Sequence, residues 1–222
     1  MDSIVIKHLS KSYGSKKILD NVSLNIPKAS LVMLCGASGS GKSTLLSIIG
    51  GMEPADNGEV IIDGQNISAL KEKTRADFYR HKVGFIFQGF YLQPQLTIAE
   101  NIALTGTFAG MSKPARQQRT VELAEMLGII DILESLPSQI SGGQAERACA
   151  ARAVFMHPEI VLADEPTNNL DPENARNTLT LLKNIQERTG TTMLIASHDP
   201  LVKEYATQVL YLKDCHITTE ER

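Results

Sequence analysis

The strongest constraint on this chain is a glycine-rich loop set between two apolar segments. Leu31, Val32, Met33, Leu34 and Cys35 form an apolar run. Gly36, Ala37, Ser38, Gly39, Ser40, Gly41, Lys42, Ser43 and Thr44 follow, and Leu45, Leu46, Ile48 and Ile49 resume the apolar pattern with helical spacing. A buried strand that ends in such a loop and opens into an amphipathic helix is the start of an α/β fold. Gly36, Gly41, Lys42 and Ser43 fit the pattern G-x-x-x-x-G-K-[ST], whose chemistry is phosphate binding. Glycines let backbone N–H groups turn inward. With the positive end of the following helix, these donors make an anion nest. Lys42 supplies charge for terminal phosphates, and the Ser43 hydroxyl is a ligand for Mg²⁺.

The rest of the composition narrows the setting. With 222 residues the chain can bury a sizeable core in one large domain or two modest ones. Its net charge of −3 and lack of a basic run argue against a nucleic-acid surface. No apolar run approaches membrane-span length, so any membrane link is expected to go through a partner. The first residues lack the basic start and apolar stretch of a signal peptide. Cys35, Cys149 and Cys215 are far apart, odd in number and without metal-ligand spacing, which fits a reducing cytoplasm.

Along the chain, residues 3–26 carry two short strand patterns. Val22, Leu24 and Ile26 alternate with polar residues, as in a half-buried antiparallel strand. Tyr13 sits in the turn-like stretch between the two patterns, where an aromatic is most often a packing residue. Residues 59–64 read as a strand closed by a turn, 70–82 as a charged helix, and 83–87 as a short buried strand followed directly by Gln88. Thr97 and Glu100 match a capping box before a helix containing Ile102 and Leu104, with a loose end over 106–110. Pro114 suits the first turn of the next helix, Gly128 ends it, and Val121, Leu123, Ala124, Met126 and Leu127 supply its apolar face. The mostly helical stretch from about 90 to 140 interrupts an otherwise alternating strand–helix order and reads as an inserted subdomain. Ser141 then opens an alanine-rich helix that His157 and Pro158 stop. Ile160 to Ala163 is a continuous apolar run, as in a buried parallel strand, and it leads into Asp164 and Glu165. Asp171 and Pro172 are an N-cap and N1 pair for a helix ending at Gly190. A buried strand over 191–196 runs into His198. Residues 209–212 with Ile217 form a closing hairpin.

Ligands of open parallel sheets collect beyond the carboxyl ends of the strands. Four expected strands end there in the phosphate loop, Gln88, Asp164 with Glu165, and His198. A carboxylate at Asp164, after four apolar residues, is costly unless it serves a cation, so it is read as a Mg²⁺ partner. Glu165, one residue further out, is placed to take a proton from an attacking water; such a pair also serves as a cap or ion pair elsewhere. His198 could contact the terminal phosphate or the water. The Gln88 amide oxygen could ligate Mg²⁺ or water. Ser141, Gly142, Gly143 and Gln144 make a second anion-binding helix start, or equally an ordinary serine cap with flexible glycines. A second such end without its own lysine suits the nucleotide of another copy.

These residues together resemble ATP-binding cassette (ABC) transporter ATPases. Gly36 to Thr44, Gln88, Ile140 to Gln144, Ile160 to Glu165, Asn169 to Asp171 and His198 fall in the family's order and approximate spacing, and the resemblance spans nearly the whole chain. It implies a P-loop NTPase core of mostly parallel sheet, an antiparallel β part near the N-terminus and a helical subdomain. The expected arrangement is a single domain over 1–222, with core over 1–89 and 157–222 and the helical subdomain with the signature over about 90–156. It implies a head-to-tail homodimer closing on two ATP molecules, the loop 36–44 of one copy facing Ser141, Gly143 and Gln144 of the other. Tyr13 falls where the family stacks an aromatic on adenine, and Asp171 would lie at the dimer seam, although its N-cap role explains it equally well. No guanine-reading motif is present. The resemblance further implies an ATPase with Mg²⁺ served by Ser43, Gln88 and Asp164, Glu165 as general base, and His198 orienting the γ-phosphate. Residues 84–88, 96–101 and 163–171 look most like the lipoprotein-releasing, macrolide-, peptide- and haem-exporting and cell-division group. Ala145 and Glu146 stand where that group usually has two glutamines, and Asn168 and Asn169 replace a more usual Gly-Asn or Ser-Ala. The implied setting is the cytoplasmic face of a bacterial membrane, reached through an integral-membrane permease, with no regulatory domain appended. A regulatory cassette that signals without transport is the alternative. A small-molecule kinase is disfavoured by Ser141 to Gln144.

Overall fold

The computed structural model describes residues 2–168 and 170–219. Asn169, part of the 169–171 motif, lies outside them. Two long strands open the chain, β1 (Asp2–Tyr13) and β2 (Lys16–Pro27), paired antiparallel around Gly14 and Ser15. After β3 (Leu31–Cys35) and α1 (Lys42–Ile49), β4 (Asn57–Ile62) returns to pair with β1. The short β5 (Gln65–Asn66) completes a four-stranded sheet in the order β2-β1-β4-β5.

The second sheet holds the site. It contains β3, β6 (Val83–Ile86), β7 (Ile160–Asp164), β8 (Thr192–Ser197), β9 (Gln208–Lys213) and β10 (His216–Thr218). Their order is β10-β9-β3-β8-β7-β6. β9, β3, β8, β7 and β6 run parallel, and only β10 is antiparallel. This is the mixed α/β architecture expected, with an antiparallel β part and a mostly parallel sheet.

Alternation along the strands divides the core in two. Val32, Leu34, Leu162, Leu194 and Leu210 face α1 and the antiparallel sheet. Leu31, Met33, Val161, Met193 and Ile195 face the opposite way, onto the helices. Because both faces are covered, β3, β7 and β8 read in the sequence as unbroken apolar runs. On that second face α7 (Pro172–Thr189) buries Ala175, Leu179, Leu182 and Ile185. Each of the last three contributes about 1.5–3 kcal/mol of transfer free energy. Asp171 caps α7, its Oδ1 accepting the N–H groups of Glu173 and Asn174 at 3.1 Å, and Gly190 closes it in the left-handed conformation.

α2 (Glu72–Lys82) precedes β6. Between β6 and β7 come α3 (Ile98–Ile102), α4 (Leu104–Phe108), α5 (Lys113–Leu127) and α6 (Gly142–Val154), with no strand among them. Several expectations shift here. The helix expected through Ile102 and Leu104 breaks at Ala103 into α3 and α4. Gly106 lies buried inside α4, because a side chain there would strike the Phe155 ring at 2.4 Å; it is not a loose end. Val121 is 40% exposed, off the buried stripe of α5, and β6 stops at Ile86, leaving Phe87 40% exposed. α6 ends at Val154, before His157 and Pro158. No helix of the described residues is long and apolar enough to cross a membrane.

Candidate functional site

The parallel strands β3, β8, β7 and β6 are consecutive neighbours, so the segments at their carboxyl ends lie side by side. From β3 comes the loop 36–41. Gly41 has φ +107, and a Cβ there would lie 2.8 Å from Ile18 Cγ2; at Gly36 a Cβ would lie 2.7 Å from the Leu212 carbonyl oxygen and from Ser40 Oγ. Only glycine satisfies both positions. The loop turns into α1 at Lys42, with Gly41 as its N-cap and no side chain capping the helix. The first N–H groups therefore stay available to an anion. Ala37, Ser38, Gly39 and Ser40 form the exposed to half-buried arc of the loop, and Thr44 lies against the Tyr13 phenol.

Lys42 is 5% exposed, and its Nζ donates to the carbonyls of Gly36 at 2.8 Å and Ala37 at 3.2 Å. It also pairs with Glu165 Oε1 at 3.2 Å. Ser43 Oγ donates to Asp164 Oδ1 at 3.0 Å. Burial pushes the Asp164 carboxyl above its ordinary pKa, with the Ser43 hydroxyl opposing the shift and the Glu165 charge adding to it. A dication at this position would reverse the sense of that shift.

Glu165 has φ +47, a left-handed conformation that costs a non-glycine residue about 1–2 kcal/mol. Its N–H is held by the Ala196 carbonyl at 2.8 Å, which fixes the turn off β7 against β8. The turn aims its carboxylate, with 13% of the side chain exposed, between two cationic or polar groups: Lys42 on one oxygen, and His198 Nδ1 at 2.9 Å on the other. A hydroxyl bond from Thr167 to Asp199 at 3.1 Å ties the two post-strand turns together. Gln88, exposed just beyond β6, lines the same cavity as Glu165.

The start of α6 stands apart. Ser141 Oγ accepts the Gln144 N–H at 3.3 Å, and Gln144 Oε1 accepts the Ser141 N–H at 2.9 Å, a reciprocal capping box. Ser141 is therefore an N-cap within the single chain. Its hydroxyl hydrogen remains free to donate. Ser141, Gly142 and Gly143 are exposed, and a Cβ at Gly143 would meet nothing within 4 Å. The anion-binding end is open to solvent.

Tyr13 is 49% exposed, and its hydroxyl donates to the Glu53 carboxylate at 2.6 Å. Lys11 joins the same carboxylate at 3.0 Å. Sequence reasoning missed Lys11 and Glu53, since nothing local joins residues forty positions apart. It also missed Arg152 and Cys149, which reach from α6 to the carbonyls beyond Gln88. Arg152 donates to Tyr91 at 2.8 Å and Phe90 at 3.1 Å, and Cys149 Sγ lies 2.8 Å from the Phe90 oxygen. Burial pushes the Cys149 thiol up to about 11.

A glycine-rich loop at the head of a helix, a lysine reaching back to it and carboxylates on the neighbouring strand define a P-loop nucleotide-binding protein. Residues 19–168 match the ABC transporter family, about two thirds of the sequence. The bacitracin export ATP-binding protein BceA of Halalkalibacterium halodurans is 37% identical over 217 residues, 96% of this chain and 86% of that protein. The lipoprotein-releasing system ATP-binding protein LolD of Bacteroides thetaiotaomicron is 35% identical over 211 residues, 95% of this chain and 97% of the relative. The macrolide export ATP-binding/permease protein MacB of Photorhabdus laumondii is 38% identical over 219 residues, but this chain spans only 34% of it. A dimeric, post-hydrolysis structure of the ATP-binding cassette MJ0796 with ADP and Pi superposes with a TM-score of 0.86 at 37% identity, covering 99% of this chain and 98% of that one. The chain belongs to the ABC transporter family, as its ATP-binding, ATP-hydrolysing component.

Proposed function

We propose that this chain powers an exporter-type ABC system of bacteria, closing as a homodimer on two ATP molecules and reopening on hydrolysis. One observation carries the catalytic part of this reading: Glu165 is held at the end of β7 in a strained turn, its two oxygens shared between Lys42 and His198. Strain of this kind persists where surrounding structure over-determines it, commonly at active sites.

In the reading, the loop amides of Gly36 to Thr44 and the Lys42 ammonium bind the β- and γ-phosphates. An incoming phosphate takes over the cation that Glu165 now shares, which leaves the Glu165 carboxylate to accept a proton from water. The water oxygen bonds to the γ-phosphorus while the bond to the β–γ bridging oxygen breaks, releasing ADP and phosphate. His198 holds the far carboxylate oxygen and reaches the γ-phosphate. Ser43, Asp164 and Gln88 fit Mg²⁺, which is commonly bound through one or two carboxylates plus substrate phosphates. That dication would neutralise charge on the phosphates. The Tyr13 ring stacks on adenine. Ser141, Gly143 and Gln144 of the second copy complete each site, the amides of their helix start facing the phosphates.

The functional unit is the single domain 1–222, with a core over 1–89 and 157–222 and a helical part over about 90–156 carrying the signature. Phe87, Phe90 and Tyr91 beside Gln88 are exposed aromatics on the surface offered to an integral-membrane permease, which would hold the chain at the inner face of the cell membrane. The exporter character is taken from relatives named for bacitracin, macrolide and lipoprotein systems. The test is Glu165→Gln in phosphate-release and gel-filtration assays with ATP and Mg²⁺. Turnover is expected to fall about 10²–10⁴-fold, the range of general-base catalysis, while an ATP-bound dimer accumulates. Near-full hydrolysis would remove Glu165 from the base role.

A further inference from the structure

Glu53 lies in the loop after α1, far in sequence from Tyr13 yet in direct contact with it. Both of its carboxylate oxygens lie 2.6 Å from the Tyr13 hydroxyl, the short distance of a charge-assisted O–H···O⁻ bond. Lys11, two residues before Tyr13 and so on the same face of β1, braces that carboxylate. Its Nζ lies 3.0 Å from Glu53 Oε1, donates to the Pro54 carbonyl at 2.8 Å, and sits 5.4 Å from the centre of the Tyr13 ring. Lys11 is only 7% exposed, unusual for a lysine. Asp56 closes the cluster, accepting the Ser12 N–H at 2.7 Å and lying 3.7 Å from Lys11. The bond to Glu53 raises the Tyr13 pKa, and the same bond lowers that of Glu53.

An aromatic side chain half in solvent, at the last residue of a strand before a glycine turn, would ordinarily sample several rotamers. Here its tip is pinned by a carboxylate that is itself pinned by a buried cation, while about half of the residue remains in solvent. We infer that Glu53, braced by Lys11, is a positioning residue that holds the Tyr13 ring as a preformed platform for the nucleobase. The inference rests on the reading of Tyr13 as the adenine-stacking residue. Its benefit is preorganisation: a side chain already ordered costs less to immobilise on binding.

Calorimetric titration of the full chain with ATP and with inorganic tripolyphosphate, which has no base, separates the possibilities. Glu53→Leu, which removes both acceptor oxygens and keeps the approximate size, is expected to weaken ATP binding about three- to ten-fold, the cost of ordering one side chain. It should leave tripolyphosphate binding unchanged. Tyr13→Phe, which keeps the ring and removes only the tethering hydroxyl, should give the same loss. The double variant should lose no more than either single one. ATP affinity unchanged in both single variants, equal weakening of both ligands, or additive losses would each overturn the role of Glu53. Tyr13→Ala serves the separate question: if it binds ATP as tightly as the unaltered chain, the stacking reading itself fails.

Discussion

Asn101 offers the sharpest test of how the segment beyond Gln88 is fastened. It is fully buried in α3, a rare place for an asparagine. Its Oδ1 accepts the Gln93 N–H at 2.7 Å, and its Nδ2 donates to the carbonyls of Gln93 at 3.1 Å, Leu96 at 3.1 Å and Thr97 at 3.0 Å. One side chain thus stands in for the secondary structure that residues 93–97 lack. The two amide hydrogens are shared among the three carbonyls, so with the accepted bond Asn101→Ala removes the equivalent of about three neutral bonds at about 1 kcal/mol each, and a loss of about 3 kcal/mol is expected. In a chain of this length that corresponds to a fall in Tm of about 6–12 °C. Asn101→Asp keeps the shape and the acceptor for Gln93 but turns a carboxylate toward three carbonyl oxygens, so it should destabilise at least as much as alanine. Thermal unfolding followed by circular dichroism measures both variants. An aspartate variant as stable as the unaltered chain, or an alanine variant within about 0.5 kcal/mol of it, the range of ordinary surface substitutions, would refute the claim that this amide clamps the loop.

Two further outcomes concern the site's supports. In Gly84→Ala the new Cβ would lie 2.2 Å from the Ala153 carbonyl oxygen, so α6 must back away from β6. A stability loss of at least about 1–3 kcal/mol is expected in urea titration, and an unchanged midpoint would contradict the packing. For Asp164 the folded pKa is raised, so the folded chain binds that proton more tightly than the unfolded one, and stability falls as pH rises through the interval above the usual carboxylate value. Asp164→Asn should therefore raise the Tm of the nucleotide-free protein at pH 7, with the gain vanishing as pH falls below the carboxylate range. A lower Tm at pH 7 would show that the Ser43 bond outweighs burial.

How much of this was legible depends on the range of the interactions. The loop 36–44, the caps at Thr97, Ser141 and Asp171, and the buried strands at 31–35 and 160–164 follow from local pattern, because loop glycines, cap hydroxyls and unbroken apolar runs act within a few residues. The polar residues ending four strands anticipated that Lys42, Gln88, Glu165 and His198 share one edge, but the order of those strands is not local and came only with the fold. What stayed hidden was tertiary. Gly106 reads as a helix breaker, but the Phe155 ring occupies the space of a side chain, so tertiary packing overrode propensity. Val121 fits the apolar stripe of α5, but it lies 40% exposed beside the open cleft between α5 and the α3–α4 segment. Lys11 with Glu53, and Arg152 with the Phe90 and Tyr91 carbonyls, join residues whose meeting only the assembled fold determines.

The central claim is that each nucleotide site is built from two copies, and mixing two inactive variants tests it most directly. Lys42→Ala destroys the phosphate loop of one copy, and Ser141→Arg blocks the helix start of the other. In a head-to-tail pair of unlike copies, the intact loop of the Ser141→Arg chain meets the intact Ser141 of the Lys42→Ala chain. Each variant alone should be silent in a phosphate-release assay, and their mixture should recover ATP hydrolysis. A mixture as silent as its components would contradict the shared site.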